Sequence, residues 1–203
     1  MSKRFLPYNK VRNEALILAK KIFDDGFIPD VIYVSLRGGA YVGNIISEFF
    51  KIVNTRDRPI LYAAVVARSY TDMNQIHSVN IDGWTYNPEY LRNGDKVLFV
   101  DDIFDTGRTI NYLVKCILEK GLPRSDVKIA VHDYKISRHG MKQPITPDYW
   151  CSKIVVKKPE DDMWIHYMSH ELEGLTNEEI EEYYLAENPD LRDAFDLIRQ
   201  HRR

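Results

Sequence analysis

The feature that most constrains this chain is Val97-Leu98-Phe99-Val100, followed at once by Asp101-Asp102. Four consecutive apolar residues, two of them β-branched, read as a short strand buried on both faces. Such a strand needs a covering layer on each side, so the chain is expected to sandwich a sheet between helices. Ile103-Phe104-Asp105-Thr106-Gly107-Arg108-Thr109 then opens onto an amphipathic run. Carboxylates at the end of a strand, feeding a small-residue turn before a helix, outline a site for a phosphate and a sugar.

The flanking sequence repeats the strand-loop-helix theme. Val11, Ala15, Leu18, Ala19 and Ile22 share one helical face within residues 8–25, and Gly26 stops that helix. Val31–Ser35 reads as a strand, Leu36-Arg37-Gly38-Gly39 as its turn, and the following residues to about Lys51 as a second helix. Ile60–Ala67 is a third apolar strand, followed by Arg68–Gln75, a polar run read as a mobile loop. Residues 78–86 suggest a short hairpin arm, and Asn93-Gly94-Asp95 is a turn. After Gly107 a helix carries Ile110, Leu113, Val114, Ile117 and Leu118, and Val127–Val131 is a further strand. Strands alternating with helices predict an α/β fold with a parallel twisted sheet flanked by helices, its ligand site outside the carboxyl ends of the strands. From about Arg138 the texture changes: Pro144, Pro147 and Pro159 interrupt short segments, which read as a small hood and not as more sheet. Thr176-Asn177-Glu178-Glu179 is a capping box opening an acidic helix, and Asn188-Pro189 starts the last one.

Bulk properties exclude several classes. A 203-residue chain with 44% hydrophobic and 29% charged residues is long enough to bury a sizeable core. A net charge of −2 gives no support for non-specific binding to nucleic acid or membranes. No apolar run approaches the ~20 residues that cross a bilayer, and the N-terminus lacks a signal-peptide core. Cys116 and Cys151 lie in no metal-site pattern and read as reduced packing thiols, so the expected compartment is the cytoplasm.

The chemistry of residues 101–109 narrows the ligand. Paired acids after an apolar strand also occur in Walker B elements and in receiver or haloacid-dehalogenase acid clusters, but no GxxxxGK[ST] segment accompanies them here. Asp105–Thr109 offers backbone N–H groups and two hydroxyls at a helix N-terminus, which favours an anion. The acids repel that anion and are suited to sugar hydroxyls or a divalent cation. A phosphorylated sugar with free hydroxyls meets both demands. His166 and His170 are four apart, but the proline-rich surroundings argue against the helix that a shared metal would need. The acidic run Glu178–Glu182 reads as a solvated helix face.

The thirteen residues Val97–Thr109 resemble the ribosyl-phosphate-binding motif of the type I phosphoribosyltransferases. Ser35-Leu36-Arg37-Gly38-Gly39 is similar to that family's pyrophosphate loop, and Ser69-Tyr70 to the lid of its 6-oxopurine members. Pro147-Asp148-Tyr149 and Pro159–Ile165 resemble the hood of the xanthine, guanine and hypoxanthine enzymes. These matches span about residues 30–170 in the family's order. The resemblance implies a phosphoribosyltransferase domain over 1–175, with core 8–137 and hood 138–175, and a C-terminal helical extension over 176–203.

It implies roles as well. Arg37, Gly38 and Gly39 would hold the pyrophosphate of 5-phosphoribosyl 1-diphosphate, with Leu36–Arg37 a candidate cis peptide. Asp101 would face the ribose and Asp102 a Mg²⁺ ion, with Thr106, Gly107, Arg108 and Thr109 on the 5′-phosphate. Asp105 would face the purine N7, Lys135 donate to O6, Trp164 stack on the ring, and the backbone of Ile165 read its edge. The implied activity is transfer of a phosphoribosyl group to guanine, xanthine or hypoxanthine in purine salvage, by a homo-oligomer (dimer or tetramer). The alternatives are a regulator of the same fold that senses 5-phosphoribosyl diphosphate, or an enzyme acting on adenine or a pyrimidine.

Overall fold

The computed structural model describes residues 2–71, 77–137 and 144–201, without the side chains of 68–71 and 77–78. In chain order the elements are β1 (Ser2–Leu6), α1 (Tyr8–Asp24), β2 (Val31–Leu36), α2 (Gly39–Val53), β3 (Leu61–Thr71) and β4 (His77–Trp84). They continue with β5 (Val97–Phe104), α3 (Arg108–Leu118), β6 (Val127–Ser137), β7 (Tyr149–Val156), β8 (Met163–Tyr167), α4 (Asn177–Ile180) and α5 (Arg192–His201). The main sheet has the order β4-β3-β2-β5-β6-β7, and β1-β8 form a separate two-stranded parallel sheet. Only the edge pair β3-β4 runs antiparallel in the main sheet.

Strand alternation divides the core between two faces. Ile32, Val34, Leu98 and Val100 meet Val11, Leu18 and Ile22 of α1 and Val42, Ile46 and Phe50 of α2. Val31, Tyr33, Val97 and Phe99 meet Ile110, Leu113, Val114 and Ile117 of α3. The expected helical faces are thus the ones that cover the sheet. A third cluster, Leu175, Ile180, Tyr184, Leu185 and Phe195, packs the C-terminal helices against Phe5 of the small sheet and Met168 just after it. The capping box forms, with Thr176 accepting from the Glu179 N–H and Glu179 accepting from the Thr176 N–H. Among the described residues no helix is long and apolar enough to cross a membrane.

Four expectations need correction. Residues 68–71, read as loop, continue β3, because their backbone groups pair with β4 and need no apolar side chains to do so; residues 72–76 of that run lie outside the described residues. Tyr149–Val156 was read as hood but is the parallel edge strand of the main sheet. Its side chains are mostly half-exposed, so no apolar run announces it. β1 was not anticipated, since a five-residue strand on a two-stranded sheet shows little hydrophobic periodicity. The last helix begins at Arg192, after a 3₁₀ turn over Pro189–Leu191.

The small sheet is tied to the main one by a buried hydroxyl. Tyr167 of β8 places its Oη 2.6 Å from Asp133 Oδ2 on β6 and 3.1 Å from the Asp102 carbonyl oxygen on β5. The His132 ring closes the network, with Nδ1 2.7 Å from the same Asp133 oxygen and Nε2 3.0 Å from Glu14 on α1. Burial pushes the Asp133 carboxyl up, but the hydrogen bonds with His132 and Tyr167 more than offset that and leave it below its ordinary value. Replacing Tyr167 by Phe removes one of those bonds from a buried carboxylate, which should lower the unfolding free energy by about 1–3 kcal/mol. Urea titration checks this; unchanged stability would show that the junction does not hold the sheets together.

Candidate active site

The chain leaves β2 for β3 and β4 on one side, then returns to β5 on the other. Strand order therefore reverses between β2 and β5, and a ligand crevice is expected outside their carboxyl ends. A cavity of about 550 Å³ lies there. It brings together Arg37 and Gly38 from the turn after β2, Asp101 and Asp102 from β5, Thr109 from α3 and Trp164 from β8. Gly39, Asp105, Thr106, Gly107, Arg108, Lys135 and Ile165 do not line it.

The turn after β2 fits only because it carries glycine. A Cβ on Gly38 would lie 2.4 Å from the Asp102 carboxylate, and one on Gly39 would lie 2.4 Å from the Val100 carbonyl oxygen. The N–H groups at the start of α2 are thereby brought against the acidic strand. The Leu36–Arg37 peptide is cis. On the facing side Gly107, at φ 67°, makes the turn into α3.

Asp101 and Asp102 belong to β5 itself and do not follow it. Burial and the neighbouring Asp102 charge together push the Asp101 carboxyl well above its ordinary value, although Ser35 and the Asp102 N–H pull the other way. Asp102 accepts from the Ile103 N–H through Oδ1, and its Oδ2 lies 3.2 Å from His170 Nε2. The His170 ring stacks on Tyr167. Ligand atoms of Asp102, His170 and Glu171 all lie within 4.8 Å of one another.

Lys135 stands on β6, which runs past its apolar part to Ser137. It is not a solvated lysine: it is 6% exposed, with Nζ 2.5 Å from Asp162, 3.7 Å from Asp105 and 3.3 Å from the Met163 carbonyl oxygen. Trp164 is 53% exposed and borders the cavity, so it is not packed in the core. Its Nε1–H donates to Glu171 Oε2 at 3.2 Å, which fixes one end of the indole. Burial holds the Glu171 carboxyl above its ordinary value, even though the Trp164 and Tyr167 N–H groups stabilise its charge. Ile165 is buried, and its backbone stands in register with Arg4 of β1. Ser69 and Tyr70 pair through their backbones with Val79 and Ser78.

Sequence reasoning missed Asp162, His170 and Glu171 as site residues. The spacing of His166 and His170 points only to a metal pair. They separate instead: His166 is buried 2.9 Å from the Tyr184 hydroxyl, while His170 reaches the acids. No spacing rule reveals this, because the turn is aimed by the pairing of β8 with β1.

A parallel α/β sheet with a glycine turn, an acidic strand and a small-residue helix start at its switch point is an arrangement suited to phosphorylated sugars. Residues 9–166 match the phosphoribosyl transferase domain, and the chain belongs to that family. It is similar to the bifunctional protein pyrR of Enterococcus faecalis, at 27% identity over 139 residues, 66% of this chain and 72% of that one. A hypoxanthine/guanine phosphoribosyltransferase of Methanohalophilus mahii is 32% identical over 75 residues, 36% of this chain and 40% of the other. The fold is that of a purine phosphoribosyltransferase from Pyrococcus horikoshii, with a TM-score of 0.64 at 21% identity over 87% of this chain and 99% of that one.

The crowded acids carry a stability cost. A carboxyl raised in the folded state makes stability fall as pH rises from about 4, the ordinary value, towards the raised one. Asp101→Asn should therefore melt higher than the parent, with a gap that widens from pH 4 to pH 8, while binding 5-phosphoribosyl diphosphate more weakly. Parallel thermal melts and a binding titration read both effects. A variant that melts lower throughout would contradict this account of the pair.

Proposed function

We propose that the protein transfers the phosphoribosyl group of 5-phosphoribosyl 1-diphosphate to a 6-oxopurine. The observation that carries this reading is Lys135, a buried ammonium 3.7 Å from Asp105 and 3.3 Å from the carbonyl oxygen of Met163, the residue before the exposed Trp164. A fixed donor there accepts a 6-oxo group and rejects a 6-amino one, while the indole offers a stacking surface. The Methanohalophilus hypoxanthine/guanine enzyme and the Pyrococcus purine enzyme support a purine substrate.

In this reading Arg37 and the N–H groups of Gly38 and Gly39 hold the pyrophosphate, and Thr106–Thr109 hold the 5′-phosphate. Asp101 and Asp102 accept from the ribose hydroxyls. A bond forms between the base nitrogen and C1 of the ribose as the C1–O bond to pyrophosphate breaks, its electron pair leaving with the pyrophosphate. The base gives up one proton, which Asp105 is placed to accept near N7. Positioning supplies much of the rate, since both reactants must meet along one line.

The donor set fits Mg²⁺, since Asp101 and Asp102 offer adjacent hard oxygen ligands near the end of β5. A bound ion would offset charge on the leaving pyrophosphate.

Incubation with 5-phosphoribosyl diphosphate, Mg²⁺ and each of hypoxanthine, guanine, xanthine, adenine, uracil and orotate, followed by chromatography, tests the reading. Nucleotides are expected from the oxopurines, with none after chelation of the metal. Lys135→Met should cut kcat/KM for these bases at least ~100-fold, because a buried charge-assisted donor is lost and Asp162 is left unpaired. Product from adenine, uracil or orotate alone would overturn the assignment.

A further inference from the structure

Asp162 has no role in the reading above, yet its geometry singles it out. It follows the 3₁₀ turn Pro159–Asp161 and directly precedes β8, two residues before Trp164. Its Oδ1 lies 2.5 Å from Lys135 Nζ, and Asp105 Oδ2 lies 3.7 Å from the same nitrogen. The ammonium thus lies within ion-pair reach of both carboxylates, and by contact the three groups read acceptor, donor, acceptor.

A planar base facing these three groups must present donor, acceptor, donor. A 6-oxopurine protonated at N7 does so, through N7–H, C6=O and N1–H. Adenine fails, because its 6-amino group faces the ammonium and its N1 is an acceptor. Uracil shows the same order only across N1–H, C2=O and N3–H, and there N1 is the nitrogen that must react.

We propose that Asp162 is a specificity-determining residue that accepts from N1–H and, where present, from the 2-amino group of the base. This rests on the oxopurine reading and refines it. An ionised carboxylate has about four lone-pair sites. One oxygen can serve Lys135 and N1–H while the other takes the 2-amino group, giving the bidentate, charge-assisted pairing that discriminates best. Guanine satisfies both oxygens, hypoxanthine one, and xanthine turns its 2-oxo group against a carboxylate. The site therefore favours guanine over hypoxanthine, and hypoxanthine over xanthine.

The test compares kcat/KM for the three bases at saturating 5-phosphoribosyl diphosphate and Mg²⁺, in the full-length protein and in Asp162→Asn. The parent should show the order given. The Asn variant should lose about 10–100-fold on guanine, the range for a hydrogen bond to a charged group. It should lose less on hypoxanthine and hold or gain on xanthine, whose 2-oxo group the new amide can meet with a donor. Because the readout is a ratio among bases in one preparation, partial misfolding scales all three alike. Asp162→Ser provides a second side chain on which the same loss of preference is expected.

A parent enzyme that prefers xanthine, or equal losses on all three bases, would overturn the assignment while leaving oxopurine transfer intact. A parent that converts no oxopurine would overturn that transfer, and this assignment with it.

Discussion

The arrangement depends on one buried hydroxyl. Tyr167 reaches from the small sheet to Asp133 and to the backbone of Asp102, joining three strands that are otherwise distant in sequence. Leaving a buried carboxylate without its donor costs more than the bond itself gains, so the junction is enforced by the penalty for breaking it. Every residue proposed to face a base is measured from this point. Trp164 lies three residues back along β8, and Lys135 two residues beyond Asp133 on β6. With the two strands locked together at Tyr167 and Asp133, the Met163 carbonyl and Asp162 fall within reach of the ammonium.

The rest of the site is a controlled imbalance of charge. Glycine lets the turn after β2 press against β5, and the same approach sets Gly38 beside the Asp102 carboxylate. Asp101 and Asp102 are crowded together, and burial makes that crowding costly. The fold tolerates this because the core on either face of β5 is continuous and apolar. A site that is strained in charge when empty gains most when it binds cationic or hydroxyl-bearing groups, so some folding stability is exchanged for ligand affinity. His170 stands 3.2 Å from Asp102 at the rim of this crowded pair.

How much of this was legible in the chain follows from where each residue gets its position. Val31–Ser35 and Val97–Val100 announce themselves because a strand covered on both faces must be apolar throughout. The turns after them could be read because glycine and paired acids have few other reasons to stand there. β7 could not be read from periodicity, since half of it faces solvent at the sheet edge and prolines precede it. The polar end of β3 misled for a related reason: ladder hydrogen bonds with β4 hold it, and these leave no trace in side-chain hydropathy. Lys135 was legible in part, because β6 continues through His132 and Asp133, polar residues that looked like the end of a strand but are satisfied in the interior. Asp162, His170 and Glu171 were not legible at all. Their positions follow from the pairing of β8 with β1, a contact across about 160 residues of chain that no local pattern encodes.

That division also separates what kinship reveals from what it leaves open. The match to the phosphoribosyl transferase domain rests on a chain segment that contains the whole main sheet, and hence the switch point with its turns and acids. These are the parts proposed to face a phosphorylated ribose, and every base used by such a fold must be offered to the same sugar. The parts proposed to face the base sit at the far end of β6 and just before β8, outside that crevice. A pair of carboxylates around a buried ammonium is an electrostatic pattern with its own demand, and it is met by the order of donors and acceptors on the ligand edge, whatever the sheet beneath it resembles. The sugar can therefore be inferred from the fold. The base must be inferred from Asp105, Lys135 and Asp162.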